Sequence, residues 1–164
     1  MMEAMARFNS TVGANPGRSG HSLSVDAARI LMDTRDDLAT LFNVEDSLRI
    51  VFTKNATEAL NISILGILKA GDHVITTGME HNSVMRPLMH LHSRGVEVSM
   101  APCSQAGETD PADIRALIRQ NTRMVVMTHA SNVTGTIMPV EEVGAITREN
   151  GIVLCVDASQ TAGA

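Results

Sequence analysis

Short apolar runs and longer periodic stretches take turns along this chain, and that alternation constrains its fold more than any other feature. Residues 50–53 (Ile-Val-Phe-Thr), 73–77, 96–100, 124–128 and 152–156 are short, apolar and rich in β-branched side chains, the pattern of buried strands. Between them, stretches near 22–42, 56–69, 82–94, 110–120 and 140–150 carry apolar residues at helical spacing. Ala70-Gly71-Asp72 reads as a helix end running into a strand, and Asp110-Pro111 as an N-cap with proline at the first helical position. Such alternation predicts an α/β fold: a mostly parallel sheet with helices on both faces, three layers in all. There is no internal repeat, and only the segment Gly13 to Gly20 is loop-like in composition.

Length and charge narrow the classes. At 164 residues the chain suits one core of ordinary size, so residues 1–164 are read as a single domain. With 44% hydrophobic and 19% charged residues it has a globular balance. A net charge of -5 without Trp or Tyr speaks against nucleic-acid binding. No apolar run is long enough to cross a bilayer, and Met1-Met2-Glu3-Ala4-Met5 lacks a signal-peptide core, so a cytoplasmic, membrane-free home is expected. Cys103 and Cys155 have neither CxxC nor zinc spacing. Cys155, inside an apolar run, reads as a buried structural thiol and Cys103 as a loop thiol.

In an open parallel sheet, ligands bind beyond the C-terminal ends of the strands. The run at 50–53 leads into Thr53-Lys54-Asn55-Ala56-Thr57-Glu58 at a helix start. The free N–H groups of a first helical turn, beside a Thr hydroxyl, make a phosphate cradle; an ordinary cap at Asn55 or Thr57 is the competing reading. The run at 73–77 leads to Gly78-Met79-Glu80-His81-Asn82-Ser83. A lone histidine there is more often a surface or capping residue, and His73, His90 and His92 take that reading outright. His90 and His92 are two apart, share no helix face, and make no metal pair.

After 124–128 comes His129-Ala130-Ser131-Asn132-Val133-Thr134-Gly135, and after 152–156 comes Asp157-Ala158-Ser159-Gln160. A carboxylate closing an apolar strand is costly to desolvate without a partner. The plain alternative is that Asp157 caps a helix while Ser159 and Gln160 are solvated. Each feature alone is ordinary. Four on one sheet edge supply a phosphate cradle, an imidazole, an amide and a carboxylate, which suits a cofactor with a phosphate at one end and a protonated ring nitrogen at the other. Absence of GxGxxG and GxxxxGK[ST] disfavours a dinucleotide or P-loop site.

In order and spacing, Asn55-Ala-Thr-Glu-Ala-Leu-Asn61, Glu80-His81-Asn82-Ser83, His129-Ala-Ser-Asn-Val-Thr-Gly135 and Val156-Asp-Ala-Ser-Gln160 resemble the pyridoxal-phosphate enzymes of the class V aminotransferase group. The resemblance is strongest to the branch of cysteine desulfurases and selenocysteine lyases, and Asn15-Pro16-Gly17-Arg18-Ser19-Gly20-His21 resembles that branch's Gly-rich loop. It implies the large domain of a fold-type I transferase with pyridoxal 5'-phosphate as cofactor. Ala56 and Thr57 would bind its phosphate, and His81 would stack on its ring and move protons. Asn132 would contact ring substituents or the substrate carboxylate. Asp157 would pair with the ring nitrogen and Gln160 with the ring hydroxyl, while Glu80 would support its turn. A homodimer, a cysteine-like substrate and a sulfur-acceptor protein are implied as partners.

The chain departs from that pattern in what it lacks. The family's lysine, which carries the cofactor as a Schiff base, follows a Ser/Gly-His pair downstream of the aspartate; Lys54 and Lys69, the two lysines here, match neither place nor motif. The desulfurase nucleophilic cysteine and substrate arginine also lie further along, and the family's first strand, with its Asp-Asn-Ala-Ala motif, is missing. Both ends therefore read as cut, and the chain as the partial large domain of a cysteine desulfurase-like enzyme, inactive by itself. The alternatives are another class V aminotransferase, a selenocysteine lyase, or a non-catalytic truncated paralogue serving as a binding module.

Overall fold

The computed structural model describes residues 2–17 and 20–163; Arg18 and Ser19 of the Gly-rich loop lie outside the described residues. The chain groups into two compact units, Met1–Phe52 and Thr53–Ala164.

In the first unit, α1 spans Met2–Thr11, α2 spans Ser22–Leu41 and a 3₁₀ turn spans Ser47–Arg49. His21 starts α2: its Nδ1 accepts the Ser24 N–H at 3.1 Å. The Ser24 hydroxyl in turn donates to the Asn15 carbonyl at 3.2 Å and ties the preceding loop to the helix. Within its twenty residues α2 buries just Ser24, Ala27 and Ala39. The Arg35 guanidinium lies 5.5 Å from the Phe52 ring centroid, a cation–π contact.

The apolar run at 50–53 is not a strand. Its backbone is extended at Ile50 but unpaired, with Val51 72% and Phe52 42% exposed. β-branched side chains favour extended backbone, but a strand also needs a neighbour to complete its hydrogen-bond ladder, and among the described residues this segment has none.

The second unit begins with α3 (Ala56–Ile67) and continues β1 (His73–Thr77), α4 (Asn82–His92), β2 (Glu97–Ala101), α5 (Pro111–Ala116), β3 (Thr122–Thr128), α6 (Val140–Glu149) and β4 (Val153–Asp157). The four strands are all parallel in the order β2-β1-β3-β4. Side-chain alternation gives the sheet two apolar faces. Val74, Met124 and Val126 pack with Leu60, Ile64, Val84 and Leu88 of α3 and α4. Ile75, Val125 and Met127 pack with Ile114 and Val143 of α5 and α6. The α/β sandwich predicted from the sequence is therefore the fold.

Two predicted boundaries have simple causes. Asp110 accepts the Ala112 N–H at 2.8 Å and Pro111 opens α5, as expected; α5 then ends at Ala116, well before 120, because Arg119–Asn121 turn into β3. His73, read as a surface or capping residue, is instead fully buried: Thr122 on Nδ1 at 2.8 Å and Ser99 on Nε2 at 2.9 Å satisfy both ring nitrogens. That hydroxyl pair is what makes burial of a polar ring affordable.

Strand order fixes where a ligand can sit. From β1 the chain leaves through α4 to β2 on one side; from β3 it leaves through α6 to β4 on the other. Connections of one hand that run in opposite directions must use opposite faces, as α4 and α6 do. Between the C-terminal ends of β1 and β3 the two diverge and leave a crevice, the switch point at which open α/β sheets bind ligands.

Candidate functional site

The crevice is built from four chain segments that end or begin at the same sheet edge. The first is the start of α3. Asn55 caps it, its Oδ1 accepting the Glu58 N–H at 2.9 Å, while Glu58 Oε2 accepts the Lys54 N–H at 2.7 Å. This reciprocal cap leaves the N–H groups of Ala56 and Thr57, which a first turn cannot satisfy internally. The cap and the anion cradle were competing readings of one motif; the geometry allows both, because they use different N–H groups.

The second segment follows β1. His81 is the N-cap of α4, and its Nδ1 accepts the Ser83 N–H at 3.1 Å, with the Ser83 hydroxyl at 2.8 Å. A backbone N–H can only donate, so Nδ1 is the unprotonated nitrogen and the neutral ring carries its proton on Nε2. Capping thus orients the imidazole and fixes its tautomer.

Just before it, Glu80 bridges two strands: Oε1 accepts the Thr77 hydroxyl at 2.7 Å and the Thr128 N–H at 3.0 Å. Burial pushes this carboxyl up to about 7, the two hydrogen bonds pull the other way, and the charge of Asp157 adds to the rise.

The third segment follows β3. The buried Ser131 organises it: its Oγ accepts the N–H groups of Val133 and Thr134, both at 3.3 Å, and the Gly135 N–H reaches its carbonyl at 2.9 Å. Gly135 sits at φ +73°, a conformation that suits glycine. Asn132 is carried exposed at the loop's rim. The fourth segment ends β4 at the buried Asp157, whose Oδ1 accepts the Ser159 N–H at 3.0 Å and the Ser159 hydroxyl at 2.5 Å. Cys155, half-buried on the same strand, has its thiol pushed up by burial, with Asp157 and Glu80 adding.

All six residues named from the sequence (Ala56, Thr57, His81, Asn132, Asp157 and Gln160) line one cavity of about 250 Å³. Thr128, Ala130, Ser83 and Ser159 join them there. Neither Lys54 nor Lys69 lines it. Sequence reading passed over Thr128 and gave Ser159 no role, leaving it solvated in the plain alternative. An Asp followed two residues later by a hydroxyl is the spacing of an Asx turn, and that signal was available for Ser159. Chemically, the cavity offers helix-start N–H donors and a hydroxyl at one end. It offers an imidazole with a fixed tautomer beside them and an oriented carboxylate at the far strand. This donor set fits an anionic phosphate and a cationic ring nitrogen together.

A family model for "Aminotransferase class-V" matches residues 1–164. A probable cysteine desulfurase of Methanothermobacter thermautotrophicus is 37% identical over 99% of this chain and 41% of its own length. The apo cysteine desulfurase of Thermococcus onnurineus superimposes with a TM-score of 0.91 at 34% identity, over 99% of this chain and 41% of that one. SspA in complex with cysteine does so with a TM-score of 0.91 at 28% identity, over 98% of this chain and 47% of that one. The chain thus spans less than half the length of these relatives. Its sequence is matched from end to end, and its parallel sheet gathers the motif residues at one switch point; the chain belongs to the class V aminotransferase family.

Proposed function

We propose that this chain is the cofactor-holding part of a pyridoxal-phosphate-dependent cysteine desulfurase. The observation that carries the reading is the 250 Å³ cavity, with the α3 start and Asp157 among its lining residues. In this reading the N–H groups of Ala56 and Thr57 and the Thr57 hydroxyl bind the phosphate, where the positive end of α3 adds to their attraction. Asp157, steadied by Ser159, holds the ring nitrogen in its protonated form. His81 lies against the ring, with Nε2 as the atom that gives or takes a proton. Asn132 and Gln160 hold ring substituents. When bound, the cofactor supplies electron withdrawal from bonds at the substrate's α and β carbons.

A cysteine substrate is supported by the names of the relatives and by SspA having been captured with cysteine. A homodimer, a sulfur-accepting protein partner and a cytoplasmic home complete the proposal, the last in keeping with two free cysteines. The chain by itself is proposed not to turn over cysteine, since neither lysine lines the cavity.

Pyridoxamine 5'-phosphate tests the pocket directly, because it carries the phosphate and the ring yet needs no lysine. Calorimetric titration of the full chain should show saturable binding that Asp157→Asn weakens about tenfold or more, the scale of losing a charged hydrogen bond. No saturable binding would sink the pocket reading. Sulfide released from cysteine by the chain alone would overturn its inactivity, and binding without sulfide release also suits a ligand-binding module.

A further inference from the structure

Glu80 is a carboxyl group at the switch point with no part in the reading above, and its surroundings are unusual. Oε1 stitches β1 to β3 through the Thr77 hydroxyl and the Thr128 N–H, while Oε2 is buried with no partner among the described residues. Thr128 stands opposite Asp157 in the β3–β4 register, and its hydroxyl lies 3.5 Å from the Asp157 carbonyl oxygen. Glu80 and Asp157 are therefore separated by a single strand, and each is held in place by hydrogen bonds to one oxygen. Neither the 250 Å³ cavity nor the adjoining one of about 350 Å³, which Glu80 lines, has a Lys or Arg in its wall. Two negative charges so placed, with no cation in either wall, repel each other, and one proton between them removes the repulsion.

We propose that Glu80 is a positioning residue coupled to Asp157, holding a proton while Asp157 faces no cation and releasing it to solvent when a cationic ring nitrogen docks on Asp157. Thr77 and Thr128 keep the carboxyl in the crevice in both states. The high proton affinity that burial and Asp157 give Glu80 fits this arrangement. Coupling of this kind is reciprocal: if docking on Asp157 favours proton loss at Glu80, proton loss at Glu80 strengthens docking by the same factor. Among the described residues, other titratable groups on the neighbouring elements include Cys155 on β4, His81 directly after Glu80 and His129 directly after Thr128. Arg86 of α4 lines a further cavity that shares His81 and Ser83 with the first. The Cys155 thiol is pushed up and stays uncharged where Glu80 titrates.

The inference rests on the cofactor reading for its ligand, but the carboxyl pair can be tested without one. The Glu80 side-chain carboxyl ¹³C resonance, identified by its loss in Glu80→Gln, is followed against pH in the full chain. In the free chain its midpoint should lie near 7. In Asp157→Asn, which leaves both imidazoles in place, the acid constant of Glu80 should rise about tenfold, as expected when a neighbouring charge is removed. Pyridoxamine 5'-phosphate should produce a rise of the same sense, and inorganic phosphate, which brings no cation, should not. A midpoint in the ordinary carboxylate range, or one indifferent to Asp157→Asn, overturns the pair. If pyridoxamine 5'-phosphate fails to bind, the cofactor reading falls, while the free chain and Asp157→Asn still decide the pair. If it binds and leaves the midpoint where it was, the coupling to the ligand is wrong.

Discussion

His73 is enclosed at the start of β1, and burial lowers its proton affinity, with the Arg119 charge adding and Glu97 opposing. An unfolded imidazole takes up a proton below about pH 6.5 that the folded one resists, so the stability His73 contributes is lost as pH falls through that value. Replacing it by Gln, whose amide can still meet the Ser99 and Thr122 hydroxyls, should flatten this part of the acid dependence, read by urea unfolding at about pH 8 and about pH 5. Glu80, at the other end of the strand, works in the reverse sense. Its folded affinity is raised from 4.5 to about 7, so the folded chain holds a proton that the unfolded one has lost. Stability is present below about pH 4.5 and declines as pH rises to about 7, by about 3 kcal/mol at 1.36 kcal/mol per unit. In Glu80→Gln, which keeps an acceptor for Thr77 and Thr128, that decline should vanish. If wild type and variant lose stability equally over this window, the carboxyl does not titrate as its surroundings dictate.

At the scale of elements, the start of α3 serves stability and ligand binding through separate atoms, and two substitutions should divide them. Asn55→Ala removes the acceptor for the Glu58 N–H and should cost about 1 kcal/mol, with the melting temperature lowered. Asn55→Asp keeps an acceptor and suits the helix dipole, so stability should hold, while a negative charge beside the cradle weakens binding of pyridoxamine 5'-phosphate. Equal affinity in Asn55→Asp would mean that the phosphate lies elsewhere. Much of this was legible in the sequence. Four of five apolar runs are strands within a residue or two, because buried parallel strands read as continuous apolar runs. Three of the four polar motifs follow β1, β3 and β4, so parallel topology carries them to one edge. The fourth, at the start of α3, follows no strand among the described residues and joins them only through the packing that forms the cavity wall. The rest depended on pairing that no local pattern encodes. The run at 50–53 looks like its neighbours, yet among the described residues no strand pairs with it. His73 is identified as buried only through Ser99 and Thr122, distant in sequence. The bridge from Glu80 to Thr128 spans 48 residues.

Over the whole molecule, the distribution of apolar surface is uneven. The sheet unit has an apolar core on each face and scattered exposed apolar residues, whereas α2 leaves the consecutive Ile30 44%, Leu31 39% and Met32 38% exposed. A twenty-residue helix with three buried positions is not paid its usual burial, and clustered exposed apolar side chains mark surfaces that associate. The sheet offers a second route, since β2 and β4 each pair on one side only among the described residues. The helix is the stronger candidate, because its exposed residues are consecutive whereas Met100 and Val156 stand singly on their strands, and a stable dimer needs about 800 Å² of covered surface on each partner. The chain is therefore expected to sediment as a dimer. Ile30→Glu with Leu31→Glu should convert it to a monomer. Both side chains are already exposed and Glu is a good helix former, so the unfolding midpoint should barely move. A monomeric wild type would remove the need for any association surface. A double variant that keeps the wild-type mass would shift the interface to the sheet edges, where Met100→Lys on β2 and Val156→Lys on β4 would then be the substitutions that lower the mass.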